Sequence, residues 1–175
     1  SDGFVLGVAT TVIPTARLLL KYDEDIKDVK GMNVEPYPLD MELIQQSGKD
    51  VWDAQVKAIQ DGLTDEVIEK AFLAFPEEVR DESMEKIIAY LKARRENLQG
   101  ISDRYYEVVN KIAVIKGTNK DDWFDVKRMI NGRTKVTAYR IKDGKKKDIF
   151  HERIYDRRET DEIWIYALDD DDVFF

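Results

Sequence analysis

Four consecutive carboxylates, Asp169 to Asp172, form the densest group of potential metal ligands in the chain. Ca²⁺ takes about six to eight oxygen ligands, and adjacent acids in a turn can supply some of them together with backbone carbonyls. The run lacks the alternate spacing and the glycine of an EF-hand loop, which favours a solvated turn between strands. Asp169, Asp170, Asp171 and Asp172 are the candidate metal ligands, with Ca²⁺ or Mg²⁺ as the ion, and no other cofactor is predicted.

A second acidic run occupies Tyr22–Asp28, near the start of the chain. On a helix, Asp25 and Asp28 share one face, and a pair of carboxylates can divide acid and base work or hold Mg²⁺. A pocket that united these acids with Arg17 or Lys21 would favour such chemistry, but the neighbouring sequence carries no signal of one. A solvated helix face is the favoured interpretation, and no catalytic residue is assigned.

Other kinds of reactive site are limited by composition. The chain has no cysteine, which excludes disulfides, thiolate nucleophiles and zinc–thiolate centres. Its single histidine, His151, allows no pair of histidine ligands and falls in the middle of a predicted strand. We therefore interpret His151 as a satisfied sheet residue, and the remaining acid–base candidates are carboxylates, lysines and tyrosines.

Charge is unevenly distributed along the chain. The whole sequence has a net charge of −8, but residues 116–158 hold 14 basic and 7 acidic side chains. An acidic chain is a poor nucleic-acid binder, because neutralising phosphates needs a concentrated basic face, and no nucleic-acid partner is predicted. Lys142 and Lys145–Lys147 form a basic hairpin tip that could contact an anionic surface or a lipid headgroup. The favoured interpretation is that they keep a strand edge soluble.

The hydrophobic period changes near residue 112, from a helical repeat to alternation with period two. The later alternating segments are separated by turns, including Asn131-Gly132 and Asp143-Gly144, which favour tight hairpins. The helical repeat continues for about 30 residues in one segment, with Gly100 marking a bend. The predicted helices cover about 14–30, 39–46, 48–62, 65–74 and 82–111, and the predicted strands about 112–117, 122–130, 133–142, 147–156 and 160–168, with a sixth beginning at Val173.

This order predicts an α+β fold. We expect an N-terminal helical bundle with one long helix, followed by a C-terminal antiparallel β-meander. The predicted division is a helical subdomain over 1–111 and a sheet subdomain over 112–175, the latter truncated at its C-terminal end.

Six segments stand out as a set: Lys21–Gly31, Leu63–Glu69, Lys92–Arg95, Arg104–Tyr106, Lys116–Lys120 and Glu159–Leu168. Together they resemble an uncharacterised region of large bacterial envelope proteins labelled calcineurin-like metallophosphoesterase or surface-antigen proteins. The resemblance implies a location in the cell envelope, in the periplasm or the outer membrane, and a fragment outside the catalytic motifs. Where such proteins have Gly-Leu-Gly-Gly-Asp-Asp, this chain has Ala167-Leu168-Asp169-Asp170-Asp171-Asp172, and the loss of the glycines favours a plain turn at 169–172.

The expected function is that of a non-catalytic structural or interaction module within a larger cell-envelope protein. Its expected partners are neighbouring domains of the same polypeptide, with membrane association only through the full-length protein. The alternative is the C-terminal part of a phosphoryl-transfer or phosphoesterase lobe whose main catalytic residues lie outside the fragment. Asp23, Asp25 and Asp28 would then lie nearest the chemistry.

Overall fold

The computed structural model describes residues 22–44 and 47–175. The chain divides into two compact units, and we describe each by itself. The helical unit contains residues 22–37 and 47–108 of the described chain, and the sheet unit contains 38–44 and 109–175. Whether 1–111 and 112–175 behave as separate subdomains stays a prediction.

Six α-helices are present in the described part of the chain, none longer than 15 residues. In residues 22–44 and 47–175, none is long and apolar enough to cross a membrane. In chain order they are α1 (Val29–Met32), α2 (Tyr37–Leu43), α3 (Lys49–Gly62), α4 (Asp65–Phe72), α5 (Glu82–Glu96) and α6 (Leu98–Val109).

Side-chain caps define where α4 and α5 begin. The Thr64 hydroxyl accepts the Val67 N–H at the start of α4. The Asp81 carboxylate accepts the N–H groups of Ser83 and Met84 at the start of α5. Each cap satisfies backbone donors that have no partner inside the helix.

The prediction of one long helix over 82–111 is wrong, because the chain forms α5 and α6 with Asn97 between them. The Gln60 side-chain amide of α3 donates to the Arg95 carbonyl at 2.8 Å and reaches the Glu96 carbonyl at 3.4 Å. These carbonyls lie at the end of α5, where helix carbonyls need partners from outside the helix. The apolar repeat continues across Asn97, so the repeat alone did not show the break.

The prediction of a helix over 14–30 is also wrong for the part that the structure describes. Residues 22–28 are irregular, and α1 begins only at Val29, after the Asp28 carboxylate has capped it by accepting the Gly31 N–H. Gly31, the residue after the predicted end of that helix, lies inside α1. Residues 14–21 lie outside the described residues, as do 45 and 46 at the end of the helix predicted over 39–46.

Six strands form two sheets in the sheet unit. A two-stranded sheet pairs β1 with β5, and a four-stranded sheet has the order β4-β3-β2-β6. The strands are β1 (Ile112–Lys116), β2 (Asp122–Arg128), β3 (Arg133–Lys142), β4 (Lys145–Asp156), β5 (Glu162–Tyr166) and β6 (Val173–Phe174).

The prediction of a simple antiparallel meander is wrong, because β1 pairs with β5 and β2 pairs with β6 in parallel. Only β2, β3 and β4 follow one another as antiparallel neighbours. Their connections are the two predicted turns, in which Asn131 and Asp143 have φ of 60° and 54° and each is followed by a glycine with positive φ. The fold is therefore α+β with mixed pairing.

The core of the sheet unit lies between the two sheets. Phe124, Val136 and Ala138 of the larger sheet are fully buried and cluster with Ala113 and Ile115 of β1. The Phe124 ring also stacks on the Phe174 ring of β6, with centroids 5.0 Å apart. Phe124 therefore links β6 to the core as well as joining the two sheets.

We expect Phe124→Ala to lower the free energy of unfolding by about 3–5 kcal/mol, because it removes a fully buried ring and leaves a cavity. The matched control is Phe175→Ala, at a phenylalanine that is 85% exposed, which should change stability by less than about 0.5 kcal/mol. Urea unfolding followed by circular dichroism measures both. Equal losses in the two variants would contradict this assignment of the core.

Candidate functional site

The carboxylate of Asp122, the first residue of β2, is completely buried and accepts three hydrogen bonds. The Thr118 backbone N–H donates to it at 2.6 Å and the Thr118 hydroxyl at 3.2 Å. An Nη1–H of Arg140, its cross-strand neighbour on β3, donates at 3.1 Å. A buried charge is stable only when paired and hydrogen-bonded, so Asp122 fixes the loop before β2 and the position of Arg140.

The Arg140 guanidinium is held between two groups. Asp122 takes one of its N–H donors, and the Phe150 ring lies against the guanidinium with its centroid 4.8 Å from Cζ. The side chain is nevertheless 38% exposed, so part of its planar donor face remains open to solvent. Arg140 is thus an oriented cation at the surface of the sheet unit.

Beside Arg140 lies an open cleft of about 830 Å³. The loop between β1 and β2 forms one wall, and the β3–β4 hairpin forms the other. Asp148 is the acidic residue of its lining. The polar and basic lining residues are Thr118, Asn119, Lys120, Arg140, Lys142 and Lys147.

The three lysines of the cleft are not compensated by acidic side chains in the described part of the chain. Within the described residues, Lys120, Lys142 and Lys147 form no ion pair. Lys146, next to Lys147, instead pairs with Asp125 at 2.5 Å and lies 4.6 Å from the centroid of the Trp123 ring. The lysines of the predicted basic tip therefore have different surroundings. Lys142 and Lys147 line the cleft, whereas Lys146 lies against the Trp123 ring.

Some cations of the helical unit are compensated by ion pairs. Arg95 donates to Asp65 at 2.6 Å, and Lys92 donates to Glu69 at 2.5 Å. Further pairs join Lys49 to Asp53 and Asp103, Lys57 to Asp61, and Arg104 to Asp25. What distinguishes Lys120, Lys142 and Lys147 is therefore their position around one cleft, and not the lack of an ion pair alone.

The acidic run at 22–28 lines a hollow of about 320 Å³ together with Arg94. Asp25 is paired with Arg104 at 2.6 Å, Asp28 caps α1, and Arg94 donates to the Asp23 backbone carbonyl at 2.6 Å. Arg17 and Lys21, the cations expected beside these acids, lie outside the described residues. The carboxylates of Asp25 and Asp28 thus have structural partners.

The candidate metal ligands Asp169–Asp172 lie in the turn before β6. The Asp172 carboxylate accepts the backbone N–H of Asp122 at 2.8 Å, and the Asp171 N–H donates to the Asp121 carboxylate at 3.2 Å. In the part of the chain that the structure describes, no three histidine, aspartate or glutamate side chains come together in a way that could hold a metal ion. The metal-site hypothesis stays a prediction.

His151 lies on β4 with its Nε2 atom 3.1 Å from the hydroxyl oxygen of Tyr155. Burial lowers the pKa of His151 from 6.5, and the positive charge of Arg153 lowers it further. Burial also raises the pKa of Tyr155 to about 12. The two rings form a neutral pair in the sheet.

Sequence reasoning identified Lys142 and Lys147 but missed Asp122, Arg140 and Lys120. A signal for Asp122 was present, because in a strand it shares one face with Phe124 and therefore points into the core. A carboxylate that points into the core needs a cationic partner, but the alternation of apolar residues did not identify Arg140 as that partner.

The chain matches no family model, no curated protein and no solved structure in the comparisons.

We expect Asp122→Asn to lower the free energy of unfolding by about 1–3 kcal/mol, since it buries an amide NH2 group where the carboxylate accepts hydrogen bonds from Thr118 and Arg140. Asp148→Asn, an exposed carboxylate of the same cleft, is the control and should change stability by less than about 0.5 kcal/mol. Chemical denaturation measures both. A loss below about 1 kcal/mol for Asp122→Asn would show that this carboxylate does not organise the unit.

We expect the proton NMR titration of His151 to give a pKa below the value measured for the same residue in urea-unfolded chain. Because the folded-state pKa is depressed, the neutral ring contributes stability at pH values above about 6.5, and that contribution is lost as the pH falls through the folded pKa. The chain has one histidine, so its signal needs no assignment. A folded pKa at or above the unfolded one would contradict the buried position.

Proposed function

We propose that the chain is a non-catalytic interaction module that binds an anionic partner at the cleft of the sheet unit. One observation carries this proposal: Lys120, Lys142 and Lys147 surround a single concavity without forming ion pairs in the described structure. Arg140 adds a fourth cation whose position is fixed by Asp122.

The electrostatic argument depends on where the charge lies. The whole chain carries −8, so an anionic partner is repelled on average and is attracted only where cations are concentrated. A cleft lined by one sign of charge focuses the field and raises the local concentration of opposite charges. The partner would therefore dock in one place and one orientation.

The resemblance to envelope proteins supports a module that works beside other domains of a longer chain. Its location in a cell envelope and its association with those domains rest on that resemblance and stay predictions. The phosphoesterase alternative, with Asp23, Asp25 and Asp28 nearest the chemistry, also stays a prediction. The partners of Asp25 and Asp28 give it no support.

We expect the protein to be retained by a sulfonate cation exchanger at neutral pH and low salt despite its net negative charge. The triple variant Lys120→Gln, Lys142→Gln, Lys147→Gln should lose this retention, because it removes the local positive field. The control is the triple variant Lys57→Gln, Lys70→Gln, Lys86→Gln. It has the same net charge as the cleft triple variant, but the altered lysines are exposed residues of the helical unit. Equal elution of the two triple variants would overturn the proposal.

A further inference from the structure

We propose that the cleft of the sheet unit is a binding site for a phosphate monoester group. This inference rests on the proposed function and names the chemistry of its anionic partner. The group is the same whether it belongs to a small soluble molecule or to a lipid headgroup.

The first argument is the charge of the site. Four cations line the cleft, and they face two carboxylates, Asp148 on the rim and Asp122 behind Arg140. These six side chains alone carry an excess of two positive charges; the carboxylates of Asp121 and Asp172, which accept the N–H groups of Asp171 and Asp122, lie outside the lining of the cleft. A phosphate monoester carries about −1.5 to −2 at neutral pH, which matches this excess better than the single charge of a carboxylate or a sulfate monoester.

The second argument is the kind of donor present. A guanidinium presents a planar fork of N–H donors that fits phosphate oxygens in pairs, and lysine ammonium groups add strong point charges. Arg140 is already oriented by Asp122 and by the Phe150 ring, so little conformational freedom is lost when a ligand binds. Asn119 lines the same cleft and adds an amide donor from the β1–β2 loop.

The third argument is space. The cleft of about 830 Å³ is much larger than a phosphate ion and lies within the range of about 300–1,000 Å³ found for small-molecule sites. It can accommodate the sugar- or glycerol-sized group to which a phosphate is attached. The open side of the cleft would let such a group extend into solvent or towards a membrane surface.

The binding test is an NMR titration of the whole chain with methyl phosphate and, in parallel, with methyl sulfate. The two ions have the same tetrahedral shape, but methyl sulfate carries a single charge. We expect methyl phosphate to bind at least about fivefold more tightly and to shift the backbone signals of residues 118–120, 140, 142 and 147. Equal affinity for the two ions, or no binding, would overturn the phosphate assignment.

Variants locate the site without unfolding the protein. Lys120→Gln and Lys147→Gln change exposed side chains, and each should weaken methyl phosphate binding by about two- to fivefold. The cleft triple variant should weaken it by more than about tenfold. The Lys57, Lys70, Lys86 triple variant should bind as the unchanged protein does. Unchanged binding by the cleft triple variant would overturn the site.

Sedimentation with lipid vesicles distinguishes the two possible sources of the phosphate monoester, a lipid headgroup and a small soluble molecule. Sedimentation with phosphatidylcholine vesicles that contain phosphatidic acid, but not with pure phosphatidylcholine, would assign the phosphate to a lipid if the cleft triple variant no longer sediments. Absence of sedimentation together with methyl phosphate binding would assign it to a soluble ligand.

If the sulfonate matrix retains the protein through the cleft but methyl phosphate has no advantage over methyl sulfate, the phosphate inference fails and the interaction module stands. If the cleft triple variant changes neither the retention on the sulfonate matrix nor the binding of methyl phosphate, both the interaction module and the phosphate site fail.

Discussion

The pairing of the buried Asp122 carboxylate with Arg140 and Thr118 is the interaction on which the organisation of the sheet unit depends. Three parts of the chain meet at this residue: the β1–β2 loop, strand β3, and the turn before β6, whose Asp172 accepts the Asp122 N–H. A buried charge with its partners in place costs little, whereas one that has lost a partner costs several times as much. The same carboxylate that stabilises the unit therefore also holds Arg140 in its position at the cleft.

A second constraint on the sheet unit lies earlier in the chain than Asp122, at Gly117. Its N–H donates to the Tyr166 carbonyl at 2.8 Å and so extends the pairing of β1 with β5. A Cβ at this position would lie 3.0 Å from both the Asp122 carboxylate and the Phe124 ring, which is closer than nearly all real Cβ contacts. The absence of a side chain thus lets the small sheet approach the residue that organises the large one. The cleft wall formed by residues 118–120 begins at this point of close approach.

The parts of the fold that follow from local sequence were predictable, and the parts that need distant partners were not. The turns at Asn131 and Asp143 follow from residues that tolerate positive φ. The end of α5 depends on Gln60, which lies 35 residues before the carbonyl it contacts. The parallel partners of β1 and β2 likewise come from the end of the chain. Of the cleft residues, Lys142 and Lys147 belong to a basic cluster that can be recognised in the sequence. The role of Arg140, in contrast, depends on its pairing with Asp122, which the sequence does not show.

The mixed topology also sets an order for folding. Strands β2, β3 and β4 are joined by tight turns, so their pairing closes only short loops. The contact between Asp122 and Asp172 instead closes a loop of 50 residues, and the pairing of β1 with β5 spans the same distance along the chain. Because the entropy of loop closure must be overcome before such contacts form, we expect the three-stranded meander to assemble first and the two parallel strands to join it afterwards. The lysines of the β3–β4 hairpin are then brought together early, while the loop that carries Lys120 becomes fixed in the late steps.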